Sequence, residues 1–160
     1  MCTAISLKQD DLYFGRTLDN EFSYLEEVTV IPRNYGFNFR NGEVLKNHYA
    51  IIGMAYNKDG FPLCYDAVNE KGLCMAGLNF VGNAHYRKPE ENKVNVAQFE
   101  LIPYILGKCA TVGEAEEIIR NINITDIPFS DDLPLAELHW IIADKERAVT
   151  LESTKSGINL

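Results

Sequence analysis

At 160 residues the chain is long enough for one ordinary domain with a real hydrophobic core. Its 46% hydrophobic and 24% charged residues suit a globular protein; a net charge of −8 and the lack of a basic, aromatic-interleaved patch argue against nucleic acid as a partner. No apolar run approaches a membrane span and no basic-then-apolar leader precedes residue 2, so the expectation is a cytoplasmic protein with no membrane partner.

In chain order, the chemistry begins at once. Cys2 follows Met1 directly. Removal of Met1 leaves a thiol and a free α-amine on one Cα, and an α-amine of pKa roughly 7.7–8 can act as a base near neutral pH. Residues 3–7 are β-prone, Gln9-Asp10-Asp11 reads as a turn, and residues 12–14 form a second short strand. Such a hairpin sets Gly15-Arg16-Thr17-Leu18-Asp19-Asn20 alongside the terminus. Arg16 would then hold positive charge near the sulfur and favour the thiolate. Asp19 could orient the amine as the third member of a triad orients its base. The alternative is an Arg–Asp surface ion pair, which is worth little.

Apolar runs at 28–31, 49–52 and 73–76 read as strands. They are punctuated by the turn signals Asn41-Gly42, Asp59-Gly60 and Lys71-Gly72. Helical spacing appears at Phe99, Ile102, Ile105 and Leu106, with Gly107 as the expected stop. A second helix starts at Thr111, where Glu114 completes a capping box, and runs through Ile118 and Ile119. Strands return at 139–143 and 149–151, and residues 156–160 are again strand-like. Two helices between two groups of strands predict an α+β fold in which a helical layer covers a sheet.

Cys2, Cys64, Cys74 and Cys109 show no C-x-x-C spacing, and His48, His85 and His139 do not cluster with them, so neither metal nor cofactor is expected. Cys64 and Cys74 flank the Lys71-Gly72 turn, but a reducing cytoplasm argues against a disulfide. His139, at the start of an apolar strand beside Trp140, reads as a core histidine; a Cys–His hydrolase is the rival mechanism.

Several motifs then align in register. Met1-Cys2-Thr3-Ala4-Ile5, Phe14-Gly15-Arg16-x-x-Asp19, Ile31-Pro32-Arg33-Asn34-Tyr35, Asn69-Glu70-Lys71-Gly72-Leu73, Ala76-Gly77-Leu78-Asn79-Phe80 and Leu138-His139-Trp140 resemble the choloylglycine hydrolase family. These are N-terminal-nucleophile (Ntn) amidohydrolases, and the likeness is closest to the bile salt hydrolases of gut bacteria. The resemblance implies an αββα sandwich of antiparallel sheets with helices on the outer faces, residues 1–160 forming the N-terminal part of a single such domain. It implies hydrolysis of the amide of glycine- or taurine-conjugated bile salts, with no cofactor and, in the full-length form, a homo-oligomer (a tetramer by resemblance).

The same resemblance assigns catalysis to Cys2 as nucleophile and base, with Arg16, Asp19 and Asn79. Asn79 takes the oxyanion position, where bile salt hydrolases carry Asn and penicillin V acylases commonly carry Tyr. Unaided, Asn79 reads first as a residue satisfying backbone groups at a strand end, and the resemblance reverses that order. The wall for the steroid is assigned to Leu18, Phe61, Tyr65, Phe129, Leu133 and Leu138. The family's second oxyanion Asn and a further Arg have no counterpart in these residues, so the chain alone is expected to be inactive. Penicillin V or N-acyl homoserine lactone acylase activity, or a catalytically inactive fragment, are the alternatives.

Overall fold

The N-terminal hairpin forms in the computed structural model, which describes residues 2–19 and 23–160. Strands β1 (Ala4–Lys8) and β2 (Leu12–Arg16) pair antiparallel with Ala4 opposite Arg16. Past the ladder, the Thr17 amide donates to the Thr3 carbonyl at 2.9 Å and the Thr3 amide to Thr17 Oγ1 at 3.0 Å. The N-terminus is thereby tied beside Arg16. Met1 and Asn20 lie outside the described residues.

Strand β3 (Glu27–Ile31) and the short pair β4 (Phe37–Asn38) and β5 (Val44–Leu45) lead into a long hairpin of β6 (Ile51–Lys58) and β7 (Phe61–Asn69). Its two-residue connection is Asp59 (φ 52) and Gly60 (φ 73), both left-handed, so the turn's twist matches that of the strands. Gly42 and Gly72, at the other two expected turns, also take positive φ. After β8 (Cys74–Asn79) comes β9 (Val94–Ala97) and then a 3-10 turn, Gln98–Glu100.

Helices α1 (Leu101–Lys108) and α2 (Val112–Ile119) follow, then β10 (Ile122–Thr125), β11 (Leu138–Ala143), β12 (Ala148–Thr154) and β13 (Gly157–Asn159). Seven strands form one antiparallel sheet in the order β13-β12-β11-β8-β7-β6-β3. The expectation of antiparallel pairing fails at one place: β9 and β10 are parallel. Parallel neighbours need a crossover, and both helices lie within it.

Two local readings need correction. Gly107 does not stop the first helix but sits inside it, with Cys109 as its C-cap. A Cβ at Gly107 would lie 3.1 Å from Leu45 Cδ2 and 3.4 Å from His48 Cβ, so the glycine allows a close approach. At α2, Thr111 Oγ1 accepts the Glu114 amide at 3.2 Å as expected, but the Glu114 carboxylate accepts from Ala110 at 2.6 Å rather than from Thr111.

Alternation across the sheet decides what each face does. Met75, Trp140, Ile142 and Leu151 are fully buried with Leu101 and Ile105 of α1, which packs on β6, β7 and β8. Burying each such side chain contributes about 1.5–3 kcal/mol. On the other face Val30, Ile52, Val68 and Cys74 form one cross-strand row. The β1–β2 hairpin stands over it across a gap of about 810 Å³ lined by Tyr13, Phe14, Val28, Ile52 and Val68. Val28, Val30 and Ile52 remain exposed. No helix among the described residues is long and apolar enough to cross a membrane.

Candidate active site

Strands β7 and β8 pair only where Asp66, Ala67 and Val68 face Ala76, Met75 and Cys74. Beyond that point Leu63, Cys64 and Tyr65 of β7 and Gly77 and Asn79 of β8 line a cavity of about 350 Å³. Cys2, half-buried, lines it too, together with Arg16. The hairpin and the parted strands thus bring together three of the four expected catalytic residues.

Arg16 is held hard. Its side chain is 6% exposed, its Nη2 donates to the Gly77 carbonyl at 2.5 Å, and its Nε lies 3.6 Å from Asp66 Oδ2. Gly77 has a strand partner on the β11 side only, which leaves this carbonyl for Arg16. Nε and Nη1 are buried without a hydrogen-bond partner among the described residues. Burial pushes the Asp66 carboxyl above its ordinary range, although Arg16 and the Met54 amide pull it down. Burial also raises the Tyr65 phenol, so it stays protonated at neutral pH.

Asn79 ends β8 opposite Leu138 of β11 and reaches the cavity wall. Asp19 is exposed and is not among the cavity-lining residues.

Of the residues that the resemblance assigns to the steroid wall, Leu18, Tyr65, Phe129, Leu133 and Leu138 line the cavity. Phe61 does not. Its ring lies behind the wall, with centroids 5.6 Å from Phe99 and 6.2 Å from Phe129, and Phe99 lines the cavity instead. Phe99 and Ile102 carry helical spacing in the sequence; Ile102 is buried in the core as well as lining the cavity. Gln98, Tyr24, Tyr56 and Trp140 also line it and carry no sequence signal that separates them from packing residues. Arg40 secures the wall from outside: its Nη2 donates to the Phe129 carbonyl at 2.7 Å and its guanidinium lies 5.7 and 5.8 Å from the Phe99 and Phe129 rings.

The other thiols are poor nucleophiles. Burial, with Asp66 adding to it, pushes Cys64 up to about 12, and burial with Glu114 does the same at Cys109; burial also raises Cys74. All four cysteines are free. His139 stacks on Phe80 with centroids 4.7 Å apart, has Nδ1 3.6 Å from Glu152 Oε1, and is not among the residues lining the cavity with Cys2. Among the described residues no group of His, Cys, Asp and Glu could hold a metal ion.

A family profile of linear amide C-N hydrolases, choloylglycine hydrolase family, matches residues 2–160. The chain belongs to the choloylglycine hydrolase family. It is 49% identical over 160 residues to a bile salt hydrolase/transferase of Lactiplantibacillus plantarum, covering all of this chain and 49% of that protein. The crystal structure of the C2A mutant of the conjugated bile acid hydrolase from Clostridium perfringens superimposes with a TM-score of 0.92 at 36% identity, over 99% of this chain and 50% of the other. Penicillin V acylase from Agrobacterium tumefaciens, 18% identical, matches with a TM-score of 0.77 over 99% of this chain and 48% of its own, a likeness of fold alone. The α+β Ntn fold expected of a choloylglycine hydrolase family member is therefore present. The chain spans about half the length of the relatives it matches.

Proposed function

We propose that this chain forms the nucleophile-bearing part of a hydrolase that cleaves the amide of glycine- or taurine-conjugated bile salts. One observation carries the reading: Cys2, Arg16 and Asn79 line a single cavity whose remaining wall includes Leu18, Phe129, Leu133 and Leu138. A polar reacting centre beside an apolar wall suits a steroid joined to a short amide-linked amino acid. Residues 1–160 are read as part of one Ntn-hydrolase domain, working in the cytoplasm as a homo-oligomer.

With Met1 removed, the Cys2 α-amine takes the thiol proton and the thiolate attacks the amide carbonyl. A C–S bond forms and the carbonyl oxygen becomes negative, where the Asn79 side chain can donate to it. The C–N bond then breaks, and the glycine or taurine amine leaves with the proton held on the α-ammonium. Water attacks the thioester, releases the bile acid and restores the thiol. Arg16 supplies fixed positive charge to the cavity that Cys2 lines, with two guanidinium nitrogens not engaged in hydrogen bonds among the described residues. Asp19 orients the α-amine.

The test joins residues 1–160 in register to the C-terminal half of the L. plantarum relative and measures glycine release from glycocholate and turnover of penicillin V. The expected result is glycocholate hydrolysis that requires loss of Met1, verified by intact mass, and that is abolished by Cys2→Ala. Preference for penicillin V moves the chain to an acylase function. Normal turnover with Met1 retained or with Cys2→Ala overturns the mechanism.

A further inference from the structure

The cavity holds one polar group that the proposed chemistry does not use. Gln98, the first residue of the 3-10 turn before α1, is 6% exposed and lines the same cavity as Cys2 and Trp140. Its Oε1 is fully buried and accepts no hydrogen bond from the described residues. Two nearby backbone amides are already engaged: Glu100, two residues on, accepts the Arg40 amide at 2.7 Å and the Ala97 amide at 3.1 Å with its two oxygens. Phe99, Ile102, Phe129 and Leu133, which line the same cavity, have no side-chain donor to offer. A buried amide oxygen without a partner costs free energy in the empty site, and a ligand that brings a donor recovers it.

We propose that Gln98 is a specificity-determining residue whose side-chain oxygen accepts a hydrogen bond from a hydroxyl group on the apolar body of the ligand. A neutral hydroxyl on a hydrocarbon skeleton matches an acceptor set among aromatic and aliphatic side chains, whereas an ammonium there would be desolvated without a counter-charge. The assignment rests on the bile salt reading and names what that reading leaves open, the feature of the steroid that the cavity recognises. A site built to accept from a hydroxyl rejects the analogue that lacks it, because the acceptor is then left unpaired.

Trp140 is the single tryptophan and lines the cavity, so its fluorescence reports binding directly. The chain carrying Cys2→Ala is titrated, below micellar concentrations, with taurocholate and with the taurine conjugate of 5β-cholanic acid, which has no ring hydroxyl. The same pair is then titrated against chains that add Gln98→Met or Gln98→Glu. The affinity for taurocholate relative to the unhydroxylated conjugate is about tenfold higher with Gln98 than with Gln98→Met, the worth of one hydrogen bond. Gln98→Met removes that preference by weakening taurocholate alone, and Gln98→Glu, which keeps an acceptor, retains it. The ratio of two affinities in one preparation is unaffected by the fraction of chain that is folded. An unchanged ratio in Gln98→Met, whether both ligands bind as before or both weaken equally, overturns the assignment while leaving the bile salt reading intact. Binding of neither steroid by the chain joined to the C-terminal half of the L. plantarum relative overturns both.

Discussion

Arg16 reaches from the N-terminal hairpin to the carbonyl of Gly77, the first residue of β8 beyond its pairing with β7. The parting of two strands and the placing of a buried guanidinium are therefore one event. Asp66, the last β7 residue still paired with β8 on that side, is the nearest counter-charge at 3.6 Å. Arg16→Leu leaves Asp66 without it and is expected to cost about 2 kcal/mol, whereas Arg16→Leu with Asp66→Asn costs less than the sum of the two single changes. Urea unfolding of the four chains measures the coupling. Additivity within about 0.3 kcal/mol would show that the two groups do not act as a pair.

Gly53 is expected to be among the least replaceable glycines. A Cβ there would collide with the Asp66 carbonyl and lie 2.6 Å from Ala67 Cα, both backbone groups of the adjoining strand that cannot swing aside. Gly53→Ala should cost about 3 kcal/mol or more and shift β7 at the level of Asp66. Gly72→Ala meets nothing within 4 Å and is strained only by its φ of 85, so about 1 kcal/mol is expected. Thermal unfolding of the two variants ranks them, and the reverse order contradicts the packing described.

Thiol chemistry separates the cysteines without any assay of turnover. With Cys64 and Cys109 pushed up to about 12, almost none of either is thiolate at pH 8. Brief iodoacetamide treatment is expected to label Cys2 first and leave those two unmodified until the chain is unfolded in urea. Peptide mapping locates the label. Early modification of Cys64 would mean that its burial is not maintained in solution.

Acid should loosen the β6–β7 side of the molecule. Arg33 donates from Nε to both Glu70 oxygens, at 2.8 and 2.9 Å, and from Nη2, and the Ala50 amide adds a bond at 2.9 Å. These hydrogen bonds, Arg33 first, bring Glu70 from its ordinary 4.5 to about 2. Because the folded value is the lower one, the stabilisation is complete above 4.5 and is lost as pH falls from there towards 2. Urea midpoints across this window should decline, and Glu70→Gln should flatten that part of the decline. A Glu70→Gln chain with the same slope would place the acid sensitivity elsewhere.

The sequence by itself determined the N-terminal hairpin, both helices and the family. The turn dipeptides Asp59-Gly60 and Lys71-Gly72 specify where strands reverse, because left-handed backbone tolerates few residue types. The motifs around Cys2, Arg16 and Asn79 identified the family before any coordinate was known, since they sit in register across the whole chain. Where a residue's role depends on which neighbour comes closest, local pattern could not decide it. Gly107 looks like a helix stop and is a contact point for Leu45 and His48; Phe61 looks like cavity wall and stands behind Phe99. Pairing of β9 with β10 across two helices, and the gap that opens where β7 leaves β8, are long-range choices with no local signature. Gln98 is the sharpest case: in sequence it is one polar residue before a helix, and only the folded chain shows that its side-chain oxygen is buried without a hydrogen-bond partner among the described residues.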